Sequence, residues 1–154
     1  MDVDARLVAL PLLCQRRQST KFKRSIENNI MRPIRSILVV DDNPDALETL
    51  ATLLNVLGTE TVRQASSAEK ALEIIKGEKF SLIVSDYRLE GMNGVEFLDQ
   101  LRAQGNQTPV LLLSGAPETA AVIRATNHQH VDFFGKPFQM SDFCDAVERL
   151  AEAA

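Results

Sequence analysis

Cysteine and histidine are scarce in this sequence. Among 154 residues there are two histidines and two cysteines, and Cys14 lies 130 positions before Cys144. Disulfide scaffolds and structural zinc sites need several such residues at short spacings, so both classes are excluded. We expect two free thiols in a protein of a reducing compartment.

Long hydrophobic runs are also missing. The apolar stretch that begins at Leu7 ends at Cys14, well short of the roughly 20 residues that a membrane-spanning helix needs. Acidic Asp2 and Asp4 stand where a signal peptide carries basic residues. The bulky Leu13 before the cysteine disfavours lipoprotein processing. We therefore expect a cytoplasmic protein with no membrane span.

Charge is divided unevenly along the chain, whose net charge is −4. Residues 1–35 carry eight Lys/Arg and three Asp/Glu, whereas the remainder carries nine and eighteen. We expect a flexible basic extension over residues 1–33 and one acidic domain over residues 34–154. A contact arm for an acidic partner or membrane is the alternative for the extension, and Met31 is an alternative start. An acidic domain repels nucleic acid, so we expect no direct nucleic acid binding.

The domain has the composition of an ordinary globular protein, with 45% hydrophobic and 25% charged residues. Short apolar runs without alternation predict strands covered on both faces, at 37–40, 82–84 and 110–113, with weaker candidates at 59–64 and 131–134. Leucines at helical spacing after Asn43 and Pro44 predict a first helix that ends before Gly58. Further helices are predicted at 67–76, 94–104, 117–126 and 139–151. Five alternations of strand and helix predict an α/β fold, with a parallel sheet between two layers of helices.

Polar residues follow four of the predicted strands: Asp41 and Asp42, then Asp86, then Ser114, then Lys136. The carboxyl ends of parallel strands share one edge of the sheet, where ligands bind. Three carboxylates would repel one another unless a cation joined them, and Mg²⁺ prefers such oxygen ligands, with Mn²⁺ as an alternative. Each residue alone is an ordinary cap or turn residue. Their combination predicts a site for Mg²⁺ and a phosphoryl group.

Four segments carry a resemblance to a known family: ILVVDDN at 37–43, SDYRLEGMNG at 85–94, LSGA at 113–116 and FFGKPF at 133–138. Together they resemble the receiver domain of bacterial two-component response regulators, typified by the chemotaxis response protein. The resemblance covers about residues 33–152. It implies a five-stranded, flavodoxin-like, doubly wound parallel sheet with strand order 2-1-3-4-5.

The resemblance also implies a metal site and a phosphoacceptor. Asp86 corresponds to the phosphoacceptor and is a metal ligand. Asp42 would bind Mg²⁺ directly and Asp41 through water. Arg88 would offer its backbone carbonyl to the metal.

A phosphoryl-binding and switching group is implied as well. Ser114 would bond the phosphoryl group, and Lys136 would pair with that group and with the phosphoacceptor. Phe133 matches the aromatic residue that turns inward after phosphorylation. Pro137 follows a peptide bond that is typically cis in this family.

Several positions depart from the family pattern. Glu90 replaces a common proline, and would either loosen the loop or add a carboxylate near the metal. Arg88 would either shield an acyl phosphate from water or point into solvent. Phe133 lacks the hydroxyl of the commoner tyrosine. His128 and His130, where a Gly-Ala pair is common, are expected to be surface loop residues rather than metal ligands.

The function implied is a single-domain response regulator and not an enzyme. Its partners would be a sensor histidine kinase or histidine phosphotransfer protein and an unknown downstream protein, with a homodimer as an option. Only 18 residues follow Lys136, so we expect no output domain. One alternative is a hydrolase of the haloacid-dehalogenase type, which needs an Asp-x-Asp motif after the first strand rather than the tandem Asp41-Asp42. The other is a degenerate receiver that acts as an unphosphorylated interaction module.

Overall fold

The computed structural model of the protein describes residues 36–152. Five strands alternate with five helices along these residues: β1 (Ser36–Val40), α1 (Pro44–Val56), β2 (Thr61–Ala65), α2 (Ala68–Gly77), β3 (Leu82–Asp86), α3 (Gly94–Ala103), β4 (Val110–Ser114), α4 (Thr119–Ala125), β5 (Val131–Gly135) and α5 (Met140–Glu152). The extension predicted over residues 1–33 lies outside the described residues, so that prediction stays a prediction. None of the helices within 36–152 is long and apolar enough to cross a bilayer.

The strands form one sheet in the order β2-β1-β3-β4-β5, and every neighbouring pair is parallel. This confirms the predicted fold class and the strand order 2-1-3-4-5. The chain runs from β1 outward to β2 and then returns past β1 to β3. The order therefore reverses between β1 and β3, and the crevice at such a point is where doubly wound sheets bind ligands.

The core has two halves, one on each face of the sheet. Leu38 and Val40 of β1 belong to the half formed with α2 and α3, whereas Ile37 and Val39 belong to the half formed with α1 and α5. All four side chains are fully buried. Because alternate residues of the central strands enter opposite halves, each of these strands has a continuous apolar run, with polar residues only at the strand ends.

Local capping explains where the helices begin. The Asn43 side chain caps α1, and Pro44 occupies the first turn, where its missing N–H removes no hydrogen bond. Ser67 caps α2 with its hydroxyl. Asn93 and Glu96 form a reciprocal capping box at the start of α3.

Two elements begin two residues later than predicted. Helix α4 begins at Thr119 rather than at residue 117, and Glu118 makes no side-chain cap. Strand β2 begins at Thr61 rather than at residue 59, because the N–H of Thr59 bonds the carbonyl of Leu54 and closes the turn after α1. The other boundaries agree with the predictions to within a residue or two.

Helix α3 holds the loop that leads into β5. The Arg102 guanidinium donates to the carbonyls of Thr108 and Gln129. His128, expected as a surface loop residue, forms a hydrogen bond with the Asp99 carboxylate of α3. The loop between α4 and β5 is thereby connected to α3, which lies on the same face of the sheet as α4.

Candidate functional site

The carboxyl edge of the sheet collects the residues that the sequence analysis selected. Asp41 directly follows β1, Asp86 ends β3, Ser114 ends β4 and Lys136 directly follows β5. These strands run in one direction, so their ends meet at one edge. The structure thus brings together residues from both ends of the described chain.

Three carboxylates form a compact cluster at this edge. Asp41, Asp42 and Asp86 each offer an oxygen, and these oxygens lie within 4.8 Å of one another. Asp41 is buried, with 2% of its surface exposed, and its Oδ1 accepts a hydrogen bond of 2.9 Å from the N–H of Asn43. Asp42 is exposed, and Asp86 is half-buried. Glu90 is exposed and is not part of the cluster.

The electrostatics of the cluster suit a cation. Burial raises the pKa of the Asp41 carboxyl above its usual range, although the N–H of Asn43 lowers it. The charge of Asp86 raises that pKa further. Lys136 has the opposite effect, and Asp42 adds a smaller upward shift. An excess of hard oxygen donors fits a small divalent ion such as Mg²⁺ or Mn²⁺.

Lys136 supplies the positive charge of the site. Its Nζ lies 3.3 Å from Oδ1 of Asp86. Its backbone N–H donates a 2.7 Å hydrogen bond to the carbonyl of Ser114, which fixes the end of β5 against the end of β4. The Lys136-Pro137 peptide bond is cis, as the resemblance implies.

An open cleft of about 260 Å³ lies beside these groups. It is lined by Asp86, Arg88, Ser114, Gly115, Ala116 and Lys136. A water molecule takes up about 30 Å³ of liquid, so the cleft has room for a tetrahedral anion and several waters. The exposed Arg88 forms part of the wall and adds a second cation to this side of the site.

Ser114 has partners that sequence reasoning missed. Its Oγ lies 3.1 Å from the hydroxyl oxygen of Thr119 and accepts a 3.1 Å hydrogen bond from the N–H of Ala116. Thr119 is one polar residue in a predicted helix, five positions after Ser114, and nothing in the sequence distinguishes it. Its role depends on a contact between two elements.

Phe133 and Phe134 lie on opposite faces of β5. Phe133 is partly buried and packs against the core half of α2 and α3. Phe134 packs against the other half, where its ring makes edge contacts with Phe138 and Phe143. Phe133 is therefore the aromatic residue on the face that carries Ile123 of α4.

The sequence model of the response regulator receiver domain matches residues 37–148. This chain belongs to that family. Among curated relatives of this receiver domain is the transcriptional regulatory protein FixJ of Bradyrhizobium diazoefficiens, 31% identical over 121 residues that cover 77% of this chain and 58% of FixJ. Another is the response regulator protein FleR of Pseudomonas aeruginosa, 33% identical over 115 residues that cover 75% of this chain and 24% of FleR.

Solved structures show the same relationship. The receiver domain of the Francisella response regulator 1452 has a TM-score of 0.69 and 26% identity, covering 79% of this chain and 98% of that one. The receiver domain of NtrX from Brucella abortus has a TM-score of 0.68 and 32% identity, covering 77% of this chain and 99% of that one. Family membership leaves no support for the hydrolase alternative.

The curated relatives are longer than the matched region. The chain spans 58% of the length of FixJ and 24% of that of FleR. What the remaining parts of those proteins do is not carried over to this receiver domain.

Proposed function

We propose that this receiver domain is a phosphorylation switch whose phosphoacceptor is Asp86. Mg²⁺ would be held by Asp86, Asp42, the carbonyl of Arg88 and, through water, Asp41. The observation that carries the proposal is the 3.3 Å approach of Lys136 Nζ to Asp86 Oδ1 at the edge of an open cleft. A cation beside a carboxylate in such a cleft suits the transfer of a phosphoryl group.

Asp86 is a better nucleophile than its neighbours for reasons of access and pairing. Asp41 is buried and accepts a hydrogen bond from the N–H of Asn43, so it has little access to a donor. Asp86 lines the cleft and faces Lys136, whereas Asp42 is not among the lining residues. We therefore assign Asp42 to metal binding rather than to attack, in support of which its carboxylate lies within the acidic cluster.

In the proposed reaction, a carboxylate oxygen of Asp86 attacks phosphorus and forms a new P–O bond. The bond from phosphorus to the donor breaks, and the donor leaves with the electron pair. The product is an acyl phosphate. Bound Mg²⁺ would neutralise charge on the phosphoryl oxygens. Lys136 supplies a positive charge for the same oxygens, and Ser114 a hydroxyl donor.

The output of the switch follows from the same residues. A dianionic group on Asp86 attracts the Ser114 hydroxyl, and its movement leaves space that Phe133 enters. The surface formed by α4 and β5 then differs between the two states. We propose that the domain receives its phosphoryl group from a histidine kinase or phosphotransfer protein and acts by binding a protein partner. A single-domain organisation, a cytoplasmic location and a homodimer remain predictions.

The test is the intact mass of the protein after incubation with acetyl phosphate, with Mg²⁺ or with EDTA. The wild type should gain one phosphoryl group only with Mg²⁺, and neutral hydroxylamine should remove it, as expected for an acyl phosphate. Asp86→Asn should gain none. Asp145→Asn, which changes an exposed aspartate of α5 outside the site, is the matched control and should behave as the wild type.

The outcomes separate the proposal from its alternative. An adduct that persists in Asp86→Asn would place the acceptor elsewhere. A folded wild-type protein without any adduct, sampled early enough to detect a short-lived species, would favour the unphosphorylated interaction module.

A further inference from the structure

The side chain of Ser114, the proposed switch serine, already makes two hydrogen bonds in this structure. Ser114 has 3% of its surface exposed, and its Oγ contacts the Thr119 hydroxyl and the N–H of Ala116, both at 3.1 Å. Within residues 36–152, no hydrogen bond joins the Ser114 side chain to Asp86. The serine hydroxyl is therefore hydrogen-bonded to the loop between β4 and α4 and to the first residue of α4, and not to Asp86.

Thr119 is held firmly where it meets the serine. It is the first residue of α4 and has 2% of its surface exposed. Its backbone N–H donates a 3.1 Å hydrogen bond to the carbonyl of Ala116. The same short loop thus connects Ser114 to the first turn of α4 through both side-chain and backbone bonds.

Movement of Ser114 toward a phosphoryl group would break its hydrogen bond with Thr119, which costs free energy. The Thr119 hydroxyl would remain buried and lose the partner that the structure gives it. A buried polar group without a partner is strongly disfavoured. The Ser114–Thr119 bond therefore favours the orientation in which the serine faces α4.

We propose that Thr119 is a positioning residue that holds Ser114 in its resting orientation and connects the serine's departure to the first turn of α4. The inference rests on the proposed phosphorylation switch. Thr119 does not touch the acceptor or the phosphoryl group, and it acts through Ser114. When Ser114 moves away, the Thr119 hydroxyl loses its hydrogen bond. This change affects the first turn of α4 directly and does not depend on the movement of Phe133.

A buried threonine elsewhere provides a matched control. Thr59 is buried, and its hydroxyl has no hydrogen-bond partner among residues 36–152. It lies in the turn between α1 and β2, away from the cleft. Thr59→Val makes the same chemical change as Thr119→Val without removing a bond to the switch serine.

The affinity for beryllium fluoride, a tetrahedral phosphoryl analogue, can be measured with Mg²⁺ in the full chain. The protein has one tyrosine and no tryptophan, so its tyrosine emission comes from Tyr87, next to the acceptor. Thr119→Val should bind the analogue about three- to tenfold more tightly than the wild type, since the net worth of one neutral hydrogen bond corresponds to this range. Thr119→Ala provides a second variant without the hydroxyl.

Two further variants distinguish positioning from a merely structural role. Thr119→Ser restores the hydroxyl and should return the affinity to within about twofold of the wild type, well inside the effect of one hydrogen bond. Thr59→Val should leave the affinity unchanged. In a Ser114→Ala background, Thr119→Val should produce no gain, because the partner that it releases is gone.

Each outcome bears on one proposal or both. Unchanged or weaker binding in Thr119→Val and Thr119→Ala, or an equal gain in the Ser114→Ala background, would overturn the role of Thr119. If the role of Thr119 is overturned in this way, the proposed function is still supported when the wild type binds beryllium fluoride and Asp86→Asn does not. No Mg²⁺-dependent response in the folded wild type would overturn both.

Discussion

The side chain of Lys136 crosses the end of β4 to reach Asp86, with 3.3 Å between its Nζ and the carboxylate Oδ1. The two residues are fifty positions apart in the sequence. Strands β3 and β5 are not neighbours, because β4 lies between them. A side chain as long as that of lysine is therefore needed to reach Asp86 from the end of β5.

Replacing that cation should slow phosphoryl transfer. Lys136→Met keeps most of the side-chain length and removes the charge, so we expect the rate with acetyl phosphate to fall about ten- to a hundredfold, toward the range seen for loss of a charge-stabilising donor. Lys79→Met, which changes an exposed lysine before β3, is the control. Time courses of the intact mass measure both. Equal rates in Lys136→Met and wild type would remove the lysine from the mechanism.

Mg²⁺ should stabilise the folded protein through the three carboxylates. At a Mg²⁺ concentration about 100 times the dissociation constant, the gain is about 2.7 kcal/mol. Asp42→Asn should lose most of that gain. Thermal unfolding with Mg²⁺ and with EDTA measures it, and Glu73→Gln, on the exposed side of α2, should respond as the wild type. A wild-type melting temperature that is the same with Mg²⁺ and with EDTA would contradict the metal site.

Glu148 should make stability depend on pH. Burial raises the pKa of the Glu148 carboxyl, and the charges of Asp145 and Glu152 raise it further. The folded state thus binds its proton more tightly than the unfolded state. Protonation of Glu148 therefore contributes to the free energy of unfolding. This contribution is fully present below the pKa of the unfolded state and is lost as the pH rises through the pKa of the folded state.

Glu148→Gln keeps the shape of the side chain and cannot ionise. At neutral pH the variant should be more stable than the wild type, and the difference should disappear as the pH falls below the unfolded pKa of glutamate. Melting temperatures of both proteins across this range, in EDTA, measure the effect. A constant difference between the two proteins at all pH values would show that ionisation of Glu148 is not its cause.

Alanine should be destabilising in place of Gly94, at the start of α3, and tolerated in place of Gly77, at the end of α2. A Cβ at Gly94 would lie 2.9 Å from Cδ2 of Leu112 and 3.1 Å from Cα of Tyr87. We expect Gly94→Ala to lower the free energy of unfolding by about 1–3 kcal/mol, as overpacking does. In the described part of the chain, a Cβ at Gly77 meets nothing within 4 Å, so Gly77→Ala should raise the free energy of unfolding by about 0.4–1 kcal/mol. Urea unfolding of the two variants tests the contrast, and equal effects would refute it.

The fold was predictable because its determinants are local. The three central strands are buried on both faces, so each contains an apolar run of three or four residues. Helices α1, α2 and α3 each begin at a side chain, such as Asn43, that caps the helix from within the same segment. The position of the candidate site followed in turn, since Asp86 and Lys136 come directly at or after the ends of strands.

The contacts that were missed are hydrogen bonds between side chains of different elements or loops. The bond between Ser114 and Thr119 depends on where α4 begins, and that boundary differs from the predicted one. The pair formed by His128 and Asp99 connects residues 29 positions apart with no shared pattern. Periodicity identifies which face of an element is buried, but it carries no information about which polar side chain lies opposite.

The order of the strands also has a consequence for biosynthesis. Lys136 follows the last strand of the sheet, whereas the carboxylate cluster is complete once β3 is in place. A nascent chain that has formed only its first three strands would carry the acidic cluster without the cation that faces it. Under the proposed function, the lysine that faces Asp86 joins the site only when β5 is added, so a phosphorylated Asp86 would report a domain in which all five described strands are in place.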